Sequence, residues 1–469
     1  MEDNKYGLSA SSKKRLDTLL KAVLLDVKPS KKEIDDSKYA INEVMARLKK
    51  NSPKDVEILL AGSVARGTQI RGNSDIDIFL LFPRSMKEEI IEKKGLEIGK
   101  SIVNKKKGES YIVKYAEHPY TRLLLNDLRI NVDIVPAFKI KDSKERGTAV
   151  DRTQLHNEFV NQNLSEKQRD EVRVLKAFLK AHNIYGAEAK TEGFSGYLCE
   201  LLIYHNGSFS KLVTNIANLE LPLVINTASM QFDKSTLSSI IKKFNHKLIV
   251  IDPTDSNRNV AANVSEESLL RFALVSRKLI KNPVKGMFYS QSYDEANSET
   301  KLTQLRSKLN ADIYAIYFKV PNIAQDIIWQ QTKKTRLRLE SLLKENGFEP
   351  ILSLQYTKET DAIMAFFIPD IKINSTKVTG PSIEMVDAVE KFMKSHKNSI
   401  LTLIDKDRIY SIEKSKYKNP EEFIRHFLSD KSTQLPSNLK AKNATLHINK
   451  IPEKHARMLY LAHWEKTNI

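Results

Sequence analysis

Two aspartates occupy alternate positions where a polar loop turns into an apolar strand. In the segment SDIDIFLLF, Asp75 and Asp77 lie on either side of Ile76. Because side chains alternate along a strand, both carboxylates share one face while Ile76 and Ile78 point to a core. Like charges this close repel, and a divalent cation such as Mg²⁺, which takes oxygen ligands, removes the conflict. The pair therefore predicts a metal-binding edge; a hairpin with two solvated aspartates is the alternative.

A Gly-Ser pair follows the preceding strand-like run, in the segment EILLAGSVARG. Gly62 has no Cβ and allows close approach, while Ser63 adds a hydroxyl. Backbone N–H groups at the start of a helical turn favour phosphate. Arg66 is three residues after Ser63 and is expected on the same face. One short segment thus offers a phosphate-binding turn beside the metal-binding pair.

A third carboxylate lies within the apolar run LRINVDIVPAF. Asp133 shares a strand face with Asn131, and a lone buried aspartate is costly without partners. If this strand lies beside 75–82, three aspartates converge in the arrangement used for two metals. One metal would activate an attacking hydroxyl and the other would hold a triphosphate. A capped or edge aspartate remains the alternative.

The composition narrows the class of protein. The 469 residues carry a net charge of +18, and nucleic acid is the commonest partner for such an excess. A generally lysine-rich proteome would also explain the charge. The single cysteine, Cys199, excludes an intrachain disulfide and fits a reducing compartment, so we expect a cytoplasmic protein. No apolar run reaches the roughly 18 residues that a membrane span needs. The N-terminal segment has no signal-peptide pattern.

Hydrophobic patterning divides the chain into three predicted regions. Region 1–150 has helices and then a small mixed sheet, whose last strand we expect to end at Pro136. Region 151–288 is mostly helical, with a strand leading into a turn-rich loop at 247–265. Region 289–469 has a strand, a long helix and two more strands, an α+β layout typical of RNA-binding domains. The early helices are predicted at 8–27, 31–50 and 85–105.

The motifs together resemble a known family. Gly-Ser, Asp-x-Asp on a strand and a later strand aspartate are similar to the nucleotidyltransferase superfamily of DNA polymerase β. The blocks GSVARGTQIRGNSDIDIFLLFP, AVDRTQLHNEFV, EVRVLKAFLKAHNIYGAEAKTEGFSGYLCELLI and NRNVAANVS resemble archaeal, class I CCA-adding enzymes. The resemblance implies an α+β multidomain fold: a polymerase-β-like nucleotidyltransferase head, a helical central domain and a C-terminal α+β RNA-binding region.

The resemblance also implies an activity and a set of site residues. The activity is template-independent addition and repair of the tRNA 3′-terminal CCA from CTP and ATP, with two Mg²⁺ ions and release of pyrophosphate. The partners would be the tRNA 3′ end and acceptor stem, and a second copy of the chain. The residues that match family positions are Asp75, Asp77 and Asp133 for metal and catalysis, and Ser63, Arg66, Thr153, His156, Lys176, Tyr185 and Arg258 for the nucleotide. Many relatives carry Glu where this chain has Asp75. Asp133 is the expected proton acceptor.

Two other functions remain open at this point. A poly(A) polymerase-like terminal transferase would use the same residues, and an inactive RNA-binding scaffold would not need the three aspartates. For either RNA-binding role, the sharpest basic segment is QQTKKTRLRLE. There Lys333, Lys334, Arg336 and Arg338 crowd one predicted helix beside Trp329. A solvated amphipathic helix is the alternative interpretation of this segment.

Overall fold

The computed structural model describes residues 6–7, 9–73, 75–115, 119–148, 150–228, 233–370, 375–430 and 434–467. They form two compact units that divide between Gln291 and Ser292. Among the described residues, no helix is both long enough and apolar enough to cross a lipid bilayer.

The first unit contains ten helices and eight strands within its described residues. The helices are α1 Ala10–Val27, α2 Lys31–Asn51, α3 Gly62–Ala65, α4 Glu88–Ser101, α5 Thr153–Asn163, α6 Glu166–Ala181, α7 Gly196–Asn206, α8 Phe209–Ala217, α9 Lys234–Phe244 and α10 Glu266–Lys281. The strands are β1 Glu57–Ala61, β2 Ile76–Phe82, β3 Ser110–Tyr115, β4 Pro119–Leu125, β5 Ile130–Phe138, β6 Leu223–Asn226, β7 Leu248–Asp252 and β8 Asp255–Asn259.

The head sheet has the strand order β1-β2-β5-β4-β3, and only β2 and β5 run parallel. Ile76, Ile78 and Leu80 of β2 face a core that α2 and α4 cover. The opposite face of β2 carries Asp77 and then Phe79. The two faces of β2 thus have different neighbours. This explains why an apolar strand carries carboxylates at alternate positions.

We expected the last strand of the head sheet to end at Pro136, but it does not. β5 continues to Phe138, and Pro136 lies opposite Leu80 of β2. Pairing of β5 with β4 ends at Ile134, so only one edge of β5 is paired at the proline. A residue without an N–H is tolerated where one edge of the strand has no ladder to complete.

The central helices form a separate core within the same unit. Val172 and Phe178 of α6 pack with residues of α7, α8 and α10, and Leu16 and Val23 of α1 join them. The first helix therefore packs with the central helices, although the predicted catalytic region begins at residue 1. α6 begins with a capping box, in which Ser165 accepts from the Gln168 N–H and the Gln168 side chain reaches back.

A small sheet, β6-β7-β8, accompanies these helices, with β6 parallel and β8 antiparallel to β7. The sequence predicted a strand followed by a loop, whereas the chain turns back at Asp252 and Asp255 and pairs again. Arg258 consequently lies in β8, not in a loop. Hairpin pairing holds its backbone more firmly than a loop would.

The second unit is also α+β. Its helices are α11 Ser298–Leu309, α12 Gln325–Glu345, α13 Val386–Ser395, α14 Pro420–Ser429 and α15 Glu453–Thr467. Its strands are β9 Ala311–Lys319, β10 Leu352–Lys358, β11 Asp361–Pro369, β12 Ser375–Ser382, β13 Leu401–Asp405, β14 Arg408–Lys414 and β15 Ala444–Ile448. The predicted strand–helix–strand–strand layout corresponds to β9, α12, β10 and β11.

An antiparallel sheet in the order β10-β11-β9-β15 forms the centre of this unit. Alternate side chains of β9 face two cores, one shared with α12 and α14 and the other with α11 and α15. A second antiparallel sheet has the order β12-β14-β13. The region thus has more strands than the sequence patterns predicted, because short strands such as β15 pair only with distant segments.

The close packing of α4 on the head sheet gives a stability prediction. A Cβ at Gly99 would lie 2.5 Å from Oγ1 and 2.7 Å from Cβ of Thr121. Gly99→Ala should lower the free energy of unfolding by about 1–3 kcal/mol, although helix propensity alone favours alanine by about 1 kcal/mol. Gly286→Ala, which meets open space in the same unit, should change it by at most about 0.5 kcal/mol. Differential scanning calorimetry of both variants measures this; equal stability would contradict it.

Candidate active site

The three predicted carboxylates meet at one edge of the head sheet. Asp77 and Asp133 are direct partners in the parallel pairing of β2 and β5. Asp75 lies one residue before β2, and its Oδ1 accepts a hydrogen bond from the Asn131 side chain at 3.0 Å. The sequence prediction that these aspartates converge agrees with this register.

Arg122 of β4 neutralises part of this acidic group. Its Nε and Nη2 each donate to one oxygen of Asp133 at 2.6 Å, and Nη2 lies 3.9 Å from Asp75 Oδ2. Both oxygens of Asp133 are therefore engaged, which does not favour the prediction that Asp133 accepts the hydroxyl proton. The sequence analysis missed Arg122, although a lone arginine in the run PYTRLLL is a signal for a buried acidic partner.

Asp77 has the most perturbed chemistry in the group. Burial and the neighbouring charges of Asp133 and Asp75 raise the pKa of Asp77 to about 7, while Arg66 and Arg122 act in the opposite direction. The arginines therefore do not offset the combined effect of burial and the neighbouring negative charges on Asp77. A group in this state binds either a proton or a cation.

The turn after β1 fits closely against Asp77. Gly62 has a φ of +74°, a backbone conformation that disfavours other residues, and a Cβ there would lie 1.8 Å from Asp77 Oδ2. Ser63 follows it half-buried, and its carbonyl accepts from the Thr68 N–H at 2.9 Å. Glycine is required at position 62 for both conformation and space.

A buried glutamate connects the predicted triphosphate residues. Glu200 of α7 is fully buried and lies 2.9 Å from Arg66 Nε and 3.9 Å from Lys176 Nζ. Thr68 completes the cluster, since its hydroxyl donates to Glu200 and Lys176 donates to the Thr68 carbonyl at 3.0 Å. Glu200 is the only acidic residue of α7 and lies within its apolar run YLCELLI, which was the signal for it in the sequence.

Lys176 and Tyr185 meet at the start of α7. A Cβ at Gly196 would lie 3.4 Å from the Tyr185 hydroxyl and 3.7 Å from Lys176 Nζ, so the absent side chain leaves room for both. Burial lowers the pKa of Lys176, against the opposing charge of Glu200. Lys180, one turn further along α6, lies 5.4 Å from the centre of the Tyr185 ring. The sequence analysis did not select Lys180.

His156 and Arg258 come together at a second buried carboxylate, Asp252. His156 Nε2 lies 3.2 Å from Asp252 Oδ2, and Arg258 Nη1 donates to the same oxygen at 2.8 Å. Burial lowers the pKa of His156, against the effect of Asp252. Tyr197 of α7 stacks on the His156 ring with centroids 3.8 Å apart. Thr153 is half-buried, one turn before His156 on α5.

Comparison with known proteins identifies the family. Family models match residues 41–156 (nucleotidyltransferase domain), 170–289 (tRNA nucleotidyltransferase, second domain) and 310–443 (CCA-adding enzyme, C-terminal domain). The CCA-adding enzyme of Archaeoglobus fulgidus is 33% identical over 88% of this chain and 90% of its own length. That of Methanocaldococcus jannaschii is 34% identical over 81% and 84%. The chain belongs to the family of archaeal CCA-adding enzymes.

Solved structures add little to this assignment. The poly(U) polymerase Cid1 bound to MgATP matches 59% of this chain and 99% of its own, with 15% identity and a TM-score of 0.47. The fold of the CCA-adding family member is a nucleotidyltransferase head with helical and C-terminal α+β parts, in agreement with the fold predicted from its sequence.

The basic segment that the sequence predicted to be a helix forms part of α12, in the second unit. Lys334 and Arg338 are exposed on it and Lys333 is half-buried. Arg336 is buried, and its guanidinium donates to Gln355 at 2.9 Å and to Glu340 at 2.9 Å. The burial of Arg336 and these two bonds do not favour it as an RNA contact, because its face of α12 packs on the sheet.

The perturbed carboxyl of Asp77 predicts how stability depends on pH. Its pKa is about 7 in the folded chain against 3.8 for an ordinary aspartate, so the folded state binds the proton more tightly. Ionisation therefore destabilises the fold progressively as pH rises from about 4 to 7. Without metal, Asp77→Asn should be more stable than wild type at pH 8 by about 1–2 kcal/mol, and the difference should shrink towards pH 5.

Calorimetry in EDTA at several pH values measures this difference. The exposed Asp55, changed to Asn, serves as the matched control and should show no such trend. A less stable Asp77→Asn variant at pH 8 would show that burial and the neighbouring charges do not destabilise the ionised carboxylate.

Proposed function

We propose that the chain adds and repairs the 3′-terminal CCA of tRNA, without a template, from CTP and ATP. The observation that carries this proposal is that an acidic edge and a basic cluster lie close together in a member of the CCA-adding family. The acidic edge consists of Asp75, Asp77 and Asp133, and the basic cluster consists of Arg66 and Lys176 around Glu200. Arg66 contacts Glu200 and also influences Asp77, so the two groups are neighbours. A nucleoside triphosphate needs both, a cation-binding edge at its reacting phosphate and basic groups along the others.

The acidic edge fits Mg²⁺ by the chemistry of its donors. Asp75, Asp77 and Asp133 supply hard carboxylate oxygens. The raised pKa of Asp77 reflects its burial and, after burial, the negative charge of its neighbours, which a cation would balance. Within the part of the chain that the structure describes, no three His, Cys, Asp or Glu side chains form a group that could hold a metal ion. At Asp133, both carboxylate oxygens accept hydrogen bonds from Arg122. Two bound Mg²⁺ ions would supply a more acidic 3′-hydroxyl and charge neutralisation at the leaving pyrophosphate.

The side chains of this unit position the substrates for in-line attack of the tRNA 3′-hydroxyl on the α-phosphorus. Ser63 and Arg66 bind the triphosphate from the turn after β1, while Lys176 of α6 and Tyr185 bind it from the central helices, where both side chains meet near Gly196. Glu200 holds Arg66 and Lys176 in place before the nucleotide arrives, so less side-chain ordering is needed on binding. The P–O bond to pyrophosphate and the O–H bond of the 3′-hydroxyl break as the new phosphodiester forms, and the proton passes to solvent.

Selection of C and A over U and G requires hydrogen bonds to the base. Arg258 is partly exposed while its aspartate partner is fully buried, so it offers N–H donors to a base; His156 and Thr153 lie nearby as further contacts. A site with directed polar groups discriminates more strongly than an apolar pocket.

An incorporation assay tests the proposal. The purified chain is incubated with Mg²⁺, a tRNA that lacks its 3′ CCA, and each nucleotide alone or CTP and ATP together. We expect C, C and A to be added and synthesis to stop. Unlimited addition of A would indicate a poly(A) polymerase, and tRNA binding without incorporation would indicate a scaffold. Asp77→Ala should lower the rate by roughly 1000-fold while tRNA binding persists; retained activity would overturn the metal assignment.

The exposed residues of α12 support a role in tRNA binding. Lys334 and Arg338 lie one turn apart on the surface of α12, with Thr335 between them facing inward. Two cations at this spacing suit adjacent phosphates of an A-form stem. The favourable term for such contacts is release of counterions, which makes affinity depend on salt.

Lys334→Ala and Arg338→Ala should each weaken tRNA binding and each reduce the slope of log affinity against log salt concentration by about one. The control is Lys308→Ala on α11, which packs on the other face of the central sheet. Fluorescence anisotropy with labelled tRNA at several KCl concentrations measures both quantities. Unchanged slopes for the α12 variants would place the tRNA elsewhere.

A further inference from the structure

A fully buried aspartate outside the catalytic carboxylates joins two residues of the proposed nucleotide pocket. Asp252 lies at the end of β7, where the chain turns towards β8. Its Oδ2 accepts from Arg258 Nη1 at 2.8 Å and lies 3.2 Å from His156 Nε2. Burial alone raises the pKa of Asp252, but the bonds from His156, Thr254 and Arg258 outweigh burial and hold the pKa below its usual range.

The other carboxylate oxygen is held by a different set of donors. Oδ1 of Asp252 accepts from the Thr254 N–H at 2.9 Å, from the Thr254 hydroxyl at 2.8 Å and from the Tyr197 hydroxyl at 3.2 Å. These bonds fix the rotation of the carboxylate within the turn. Oδ2 is thereby presented to Arg258 and His156.

Arg258 depends on this contact for its direction. Its side chain is 30% exposed whereas that of Asp252 is 0% exposed, so a partly exposed guanidinium is attached to a buried carboxylate. A guanidinium carries five N–H donors in a rigid plane, and one bond of known direction orients the rest. A free arginine side chain would sample many rotamers and would lose that freedom on binding.

We propose that Asp252 is a positioning residue that aims the Arg258 guanidinium at the incoming base and so contributes to the choice of nucleotide. This inference rests on the proposed function, because it concerns selection at the same site. Asp252 itself touches no substrate; it acts through Arg258.

Asp252→Asn distinguishes this role from a merely structural one. The two Thr254 donors require an acceptor, so the amide oxygen takes the Oδ1 position and the amide NH₂ faces Arg258 and His156. A neutral imidazole nitrogen can accept from that NH₂, but a guanidinium only donates. The nearly isosteric variant therefore keeps the turn and releases Arg258 selectively.

The test compares kcat/KM for CTP against UTP and for ATP against GTP. Asp252→Asn should reduce each ratio by at least about tenfold, with a larger effect on the correct nucleotide than on the wrong one. Arg258→Gln should reduce the two ratios by as much as Asp252→Asn does. The double variant should have ratios no lower than those of Arg258→Gln alone, because both substitutions act on one guanidinium.

The matched control is Asp255→Asn, the same change in the same turn. Asp255 accepts from Arg146 at 2.8 Å and lies 3.8 Å from Arg152, and it is not the carboxylate that holds Arg258. Its loss should therefore leave the nucleotide ratios unchanged. If Asp252→Asn does not fold, Asp252→Ser keeps an oxygen for the Thr254 N–H and removes the oxygen facing Arg258.

Each outcome is decisive. Unchanged ratios in a folded Asp252 variant, or losses in the double variant that add, would overturn the inference while wild-type CCA addition upholds the proposed function. A uniform loss for all four nucleotides would assign Asp252 a structural role only. A wild-type chain that adds neither C nor A would overturn both proposals.

Discussion

The parallel pairing of β2 with β5 is the constraint on which the site depends. It places Asp77 directly beside Asp133 on two neighbouring strands of the head sheet, and these like charges repel. The surrounding structure offsets this repulsion only in part. Arg122 pairs with Asp133 and Arg66 lies close by, yet the pKa of Asp77 remains near 7. Because the negative charge of the aspartates is only partly neutralised, these carboxylates can bind a cation. Gly62 packs closely against Asp77.

Two buried carboxylates organise the basic residues around this edge. Glu200 contacts Arg66 and Lys176, and Asp252 contacts His156 and Arg258. Buried ion pairs are weak sources of stability, because desolvation offsets the Coulombic gain. Their effect here is orientation, since each carboxylate holds two basic side chains in fixed directions. Helix α7 links the two clusters, because Tyr197 and Glu200 lie one turn apart on it.

Local patterns predicted most elements of the fold, because helix caps and hydrophobic periodicity depend on near neighbours. The positions of α1, α2 and β2 agree with their predicted ranges within a few residues. The differences from the predictions concern elements whose partners are distant. Arg258 lies in a strand because β8 returns to β7, and Arg336 is buried because α12 packs on a sheet formed by later strands.

The sequence by itself determined which residue types are present and which strand face they share: Asp75 and Asp77 alternate with isoleucines, and alternation is a property of the backbone. It also carried the motifs by which the family is identified. Only the tertiary structure decided that Asp133 lies opposite Asp77, that Arg122 engages Asp133, and that Glu200 joins Arg66 to Lys176. The physical reason is separation along the chain: strand register and the pairing of buried charges depend on contacts between residues far apart in sequence, which no local pattern specifies.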